Sequence, residues 1–147
     1  MSLAFSHFGL AICVACVADH GAIAAAADLQ CPAQIAGGPV QVPGASTDWV
    51  AFAPVPLKLH SVGFMDGPPS RKIELMPAKI DQHRDRSTVT WQFADGPLKN
   101  GKWLSCGYGD GGEITLSKPI SDSTATCIVY YRNGVLPNFR DIRIECR

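Results

Sequence analysis

The chain has 147 residues, 46% of them hydrophobic, and its 13 lysines and arginines are balanced by 13 aspartates and glutamates. Neither sign forms a block, so the charge pattern points to no polyanionic partner such as a nucleic acid. The length suits one domain with its own core.

Residues 3–18 are almost all apolar, with Ser6 and His7 the exceptions, and a run of small residues at 22–27 follows. An apolar stretch of this length that ends in Ala-x-Ala is what signal peptidase recognises. The front lacks Lys and Arg, so the amino terminus supplies its positive charge. A membrane anchor needs ~20 apolar residues, and Asp19-His20 interrupts this run. A lipoprotein reading needs Cys13 or Cys16 as the acylated residue, and Cys16 follows Cys13-Val14-Ala15, which lacks the usual leucine-like residue three positions earlier. The reading is a leader at 1–27, cleaved after Ala27 or one residue before, and one exported domain at 28–147. Only Asp19 leaves with the leader, so 13 basic residues then face 12 acidic ones. No later run is long enough to span a membrane.

The mature chain opens on an extended arm or polar-edged strand, "PVQVPG" at 39–44. In "PLKLHSVGF" (56–64), Leu57 and Leu59 share one parity while Val62 and Phe64 take the other, so a bulge near His60-Ser61 is needed to keep one face buried. Pro68-Pro69 after Asp66-Gly67 reads as a rigid turn. "TVTWQF" (88–93) alternates, with Val89, Trp91 and Phe93 on one face. "WLSCGY" (103–108) and "EITL" (113–116) flank a glycine-rich hairpin turn. "TATCIVYY" (124–131) is apolar on both faces and therefore central in its sheet. "RDIRIEC" (140–146) turns Ile142, Ile144 and Cys146 inward. No segment shows helical periodicity over three turns. The expected fold is all-β, a mainly antiparallel small sandwich or open barrel.

Four cysteines remain after the leader: Cys31, Cys106, Cys127 and Cys146. An even number in an exported chain argues for disulfides. A zinc site fits poorly, since none of the spacings among these four resembles C-x-x-C and only His60 and His83 are left to assist. Chain order suggests Cys106 with Cys127, on the first and third strands of one meander, which leaves Cys31 with Cys146. Four cysteines allow three connectivities, and spacing alone does not choose among them.

Cys31-Pro32, Trp49, "VGFMDGPPSRKIELMP" (62–77), "GKWLSCGY" (101–108), "ITLSKPI" (114–120), "TCIVYY" (126–131) and "IRIEC" (142–146) follow in an order that resembles a family of small uncharacterised exported four-cysteine proteins of Gram-negative bacteria, named after a Salmonella locus tag. The resemblance covers nearly the whole mature chain and implies export to the periplasm and a four-cysteine framework. It supplies no catalytic residues. Family members near type VI secretion genes make a periplasmic immunity protein one role that it implies.

Candidate chemistry is sparse. His83 lies between Asp81 and Asp85 in "KIDQHRDRS" (79–87), where a general base oriented by a carboxylate is conceivable, but a solvated loop explains the same residues. His60 and Ser61 are strand neighbours that point to opposite faces. No nucleophile elbow, zinc helix or phosphate loop occurs, and no cofactor or metal is implied. Two loops look better suited to recognition: Phe64, Met65 and Arg71 around the proline turn, and Val135, Leu136 and Phe139 in "RNGVLPNFR" (132–140). The leading expectation is a periplasmic or secreted protein, not an enzyme, that occludes a protein partner in the cell envelope. The rival is a structural or stress-related envelope protein without a dedicated partner.

Overall fold

The computed structural model describes residues 29–93, 97–134 and 140–147; the predicted leader lies outside them. Ten strands occur among these residues: β1 (Gln34–Ile35), β2 (Gly38–Val40), β3 (Ala51–Ala53), β4 (Leu57–Asp66), β5 (Lys79–Gln82), β6 (Arg86–Gln92), β7 (Lys102–Tyr108), β8 (Ile114–Pro119), β9 (Thr126–Asn133) and β10 (Arg140–Cys146). A single 3-10 turn covers Pro69–Arg71. Pairing is antiparallel, with strand orders β1-β4-β7-β8 and β10-β9-β6-β5 in two four-stranded sheets. A separate two-stranded ribbon joins β2 and β3. The fold is all-β, as the alternating pattern predicts.

Both four-stranded sheets feed one core. Leu59, Val62, Phe64, Leu104, Cys106 and Tyr108 enter from the first sheet, and Trp91, Cys127, Val129 and Ile144 from the second. Phe64 sits edge-on to Trp91 and Phe93, with ring centroids 5.1 and 5.3 Å away. Full burial of side chains this large is worth about 1.5–3 kcal/mol each. The arrangement is that of a small sandwich. The parity switch in β4 is resolved as the sequence requires: its register with β7 shifts between Leu59 and Ser61, so Leu59, Val62 and Phe64 all face inward.

The outer edge of β4 is closed piecewise. β1 pairs with it at Leu57 and Lys58. Leu75 N–H donates to the Phe64 carbonyl, and Asp66 N–H to that of Ile73. Between these, the Tyr131 hydroxyl reaches across from β9, accepting from Val62 N–H at 3.1 Å and donating to Val62 C=O at 2.9 Å. One side chain thus satisfies both backbone groups of an edge residue, which would otherwise stay unpaired in a half-buried place. The Gln30 amide does the same for Ile144 on β10.

Burial holds the Tyr131 phenol above its ordinary range, against smaller opposing effects of the Val62 backbone bond and Arg140. Burial also raises the phenol of Tyr108, whose hydroxyl donates to the Pro32 carbonyl at 2.9 Å. An unfolded tyrosine titrates near ~10, so the folded chain binds more protons than the unfolded chain above that pH. The stability that these two phenols contribute is therefore constant up to about pH 9 and is lost as pH rises past about 10. Denaturant midpoints between pH 8 and pH 11 measure this, and Tyr131→Phe is expected to flatten the decline.

The disulfides differ from the chain-order expectation. Cys31 bonds Cys106, and Cys127 bonds Cys146. The expected pairing of Cys106 with Cys127 took β7, β8 and β9 as one meander. Instead the chain leaves the first sheet after β8, and β9 lies in the second. Cys127 and Cys146 are then cross-strand neighbours with Cα atoms 4.2 Å apart, while Cys31, just ahead of β1, lies against β7.

Candidate interaction surface

Of the residues expected to contact a partner, Phe64 and Met65 are 1% and 7% exposed. They belong to the end of β4 and not to a loop, which corrects the expectation for both. Arg71 is exposed at the end of the 3-10 turn. Val135, Leu136 and Phe139 lie outside the described residues.

The "DGPP" stretch has a structural task. The Asp66 carboxylate accepts from the backbone and side-chain amides of Asn100, at 3.1 and 3.2 Å. Gly67 follows with φ of 95°, and a Cβ there would lie 2.8 Å from Asn100 Cβ. Glycine alone suits both the conformation and the close approach. The motif thus ties the end of β4 to the segment before β7.

The histidine cluster lies on an exposed hairpin tip. β5 and β6 pair as a hairpin whose tip exposes His83, Arg84 and Asp85. Asp81 is engaged by Lys79 at 2.8 Å on the solvent side. His60 shares a groove of about 330 Å³ with Asp110 and Glu113, yet Glu113 is turned to the hairpin, accepting from Gly111 N–H at 3.3 Å. A larger groove of about 620 Å³ runs past Leu29, Ile120, Ser121 and Ile144, with the Arg143–Glu145 ion pair on its wall. Among the described residues no cluster of histidine, cysteine or carboxylate could hold a metal ion, and no helix is long and apolar enough to cross a membrane.

Exposed large apolar residues include Met76 and Ile80, but most of them gather in and beside the ribbon. Trp49 is 78% exposed, Val50 85%, Phe52 62% and Val55 60%. Sequence reasoning named Trp49 only within the family resemblance and singled out none of these as a contact residue. The available signal is composition: residues 34–57 hold one charged side chain, Asp48, in an otherwise apolar and small-residue stretch.

Comparison with known proteins bears on this surface. Residues 54–147 match the family described as type VI secretion system Tli immunity protein. The chain belongs to that family. No curated protein and no solved structure matches it. The family span begins at the end of the ribbon and takes in both four-stranded sheets except β1, so the Tli-family core is the sandwich. The exposed apolar residues 49, 50 and 52 stand immediately before it.

Proposed function

We propose that this chain is a periplasmic immunity protein that binds a type VI effector and holds it inactive by occlusion, with no chemistry of its own. The family match over 54–147 carries this reading. Two disulfides support it, because such bonds persist in an oxidising compartment. So does the leader read at 1–27, which accords with the exported four-cysteine proteins that the sequence resembles. A single domain of this size can present the ~800 Å² per partner that a standard inhibitor interface buries.

Co-expression with periplasm-directed type VI effectors tests the proposal. The full chain is expected to restore growth against its cognate effector and to bind it one to one, with a dissociation constant on the order of 10⁻⁹ M. Inhibition is expected to saturate at equimolar protein. The chain without residues 1–27, retained in the cytoplasm, is expected to give no protection. Substoichiometric inhibition would point to an enzyme instead, and protection by the cytoplasmic form would overturn the localisation.

A further inference from the structure

We infer that the β2–β3 ribbon is the element that enters the partner, inserting into an apolar cleft of the effector; this rests on the reading of the chain as an effector-binding immunity protein. The ladder pairs Pro39 with Phe52 and Val40 with Ala51. Carried two residues further, that register sets Val42 across from Trp49 and Gln41 across from Val50. Side chains alternate between faces along a strand, so Phe52 and Val50 mark one face and Trp49, Val42 and Val40 the other. Both faces are open: beyond the exposures given above, Val42 is 53% and Val40 36% exposed.

Two exposed apolar faces on one thin ribbon define the shape of what covers them. A flat surface, or a second copy laid on one face, leaves the other in water. One face offers on the order of 300 Å², well short of the ~800 Å² per partner in a stable interface. A cleft takes both faces at once.

Charge restricts the chemistry of that cleft. Asp48 is the one charged residue between 34 and 57, and Ser46 Oγ donates to its carboxylate at 2.7 Å. The side chain bond to Ser46 is the main reason that its carboxyl is held below the usual range. The remaining ribbon brings no charge to be dehydrated, and so fits an apolar, uncharged cleft. A lipid surface fits less well. The stretch holds no lysine or arginine for anionic headgroups, and the outer edges of a two-stranded ribbon carry backbone groups that a bilayer cannot satisfy.

The tip is set before binding. Val42-Pro43-Gly44-Ala45 forms a turn with Ala45 N–H donating to Val42 C=O at 3.2 Å and Gly44 at φ of 83°. Proline and glycine at its centre are what a type II turn takes. A second turn brings Trp49 N–H to Ser46 C=O at 3.1 Å. At the base, a Cβ on Gly37 would meet the Ala53 carbonyl oxygen at 2.9 Å, so the two arms approach closely there. A preformed ribbon loses little conformational freedom on insertion.

Trp49→Asp and Phe52→Asp, one on each face, test the inference in the full exported chain against the effector that the wild type neutralises. Each is expected to weaken binding at least 100-fold, the loss typical of a buried aromatic anchor, with both disulfides and the thermal midpoint unchanged. Wild-type affinity in both variants overturns the ribbon assignment and leaves the immunity reading standing. A loss confined to one variant overturns the cleft. Trp49-dependent binding to phosphatidylethanolamine–phosphatidylglycerol vesicles, or a dimer that Trp49→Asp dissolves, overturns the inference if effector affinity is unchanged. A wild-type chain that binds no effector removes the immunity reading itself.

Discussion

A chain carrying Cys31→Ala and Cys106→Ala is expected to lose about 4 kcal/mol of stability, and a chain carrying Cys127→Ala and Cys146→Ala about 3 kcal/mol or less. The two bonds close loops with sequence separations of 75 and 19 residues, and the larger loop removes more freedom from the unfolded chain. Local context widens the gap. Cys127 and Cys146 sit on strands already aligned by the seven paired residues from Arg140↔Asn133 to Cys146↔Cys127. Losing their bond leaves the native register in place.

Cys31 has fewer substitutes. The two-residue pairing of β1 with β4, the Tyr108–Pro32 hydrogen bond, the Leu59 N–H to Ala33 carbonyl bond and the Gln30 contact with Ile144 hold the segment before the ribbon. Without the disulfide, that segment is expected to open separately from the sandwich, as weakly tied elements do. Hydrogen exchange at 30–35 should accelerate well before exchange in β7 or β9. Thermal midpoints should fall by roughly 15 °C for the first pair at ~4 °C per kcal/mol. A larger loss from the Cys127–Cys146 pair would sink the loop-length argument.

The same cysteines show where sequence reading stops. β6 and β10 were legible because Val89-Trp91 and Ile142-Ile144 alternate around a buried face, and β9 because its β-rich run is apolar on both faces, as a central strand requires. The bulge in β4 was legible for a related reason: the inward parity changes between Leu59 and Val62, and a continuous strand cannot change parity without an extra residue. Which sheet a strand joins is a different matter. Nothing between Pro119 and Thr126 announces that the chain crosses from one sheet to the other, so a meander was the natural reading and the bond partners followed from it.

The end of β4 failed in a smaller way. Pro68-Pro69 marks a turn, but pairing continues to Asp66↔Lys102, so Phe64 and Met65 are strand residues covered on opposite faces. The exposure of the apolar ribbon was missed because it is decided by what packs over a residue. A stretch such as "DWVAFAPV" carries the same apolar signal whether covered or not. Its lack of charge was visible, while its two open faces were not.

Lys102 shows the reverse, a signal that was present and went unused. It shares parity with Leu104, Cys106 and Tyr108, and the inward face of β7 buries it to 2% exposure. Its ammonium donates to the carbonyls of Asp122 and Thr124, each at 2.7 Å, and lies 5.4 Å from the centre of the Phe93 ring. Those carbonyls belong to the turn that carries the chain from β8 in one sheet to β9 in the other. The lysine therefore clamps the crossover from beneath.

Two effects oppose each other when Lys102 is replaced. Removing a buried ammonium relieves its dehydration, and a hydrophobic stand-in of similar volume is neutral or better in some proteins. Against this, two charge-assisted hydrogen bonds are lost, each worth about 1.5–3 kcal/mol. Asp122 is exposed and Thr124 half-buried, so water can recover part of that loss. Lys102→Met, which keeps the stem, is expected to cost about 2 kcal/mol, and Lys102→Ala, which also leaves a cavity, about 4 kcal/mol. Denaturant midpoints read both, and hydrogen exchange at 120–126 should quicken in each variant. A neutral or stabilised Lys102→Met would mean that dehydration outweighs the two carbonyl bonds, and the crossover would then be held by its own turn, through Thr124 N–H and the Ser121 carbonyl at 3.1 Å.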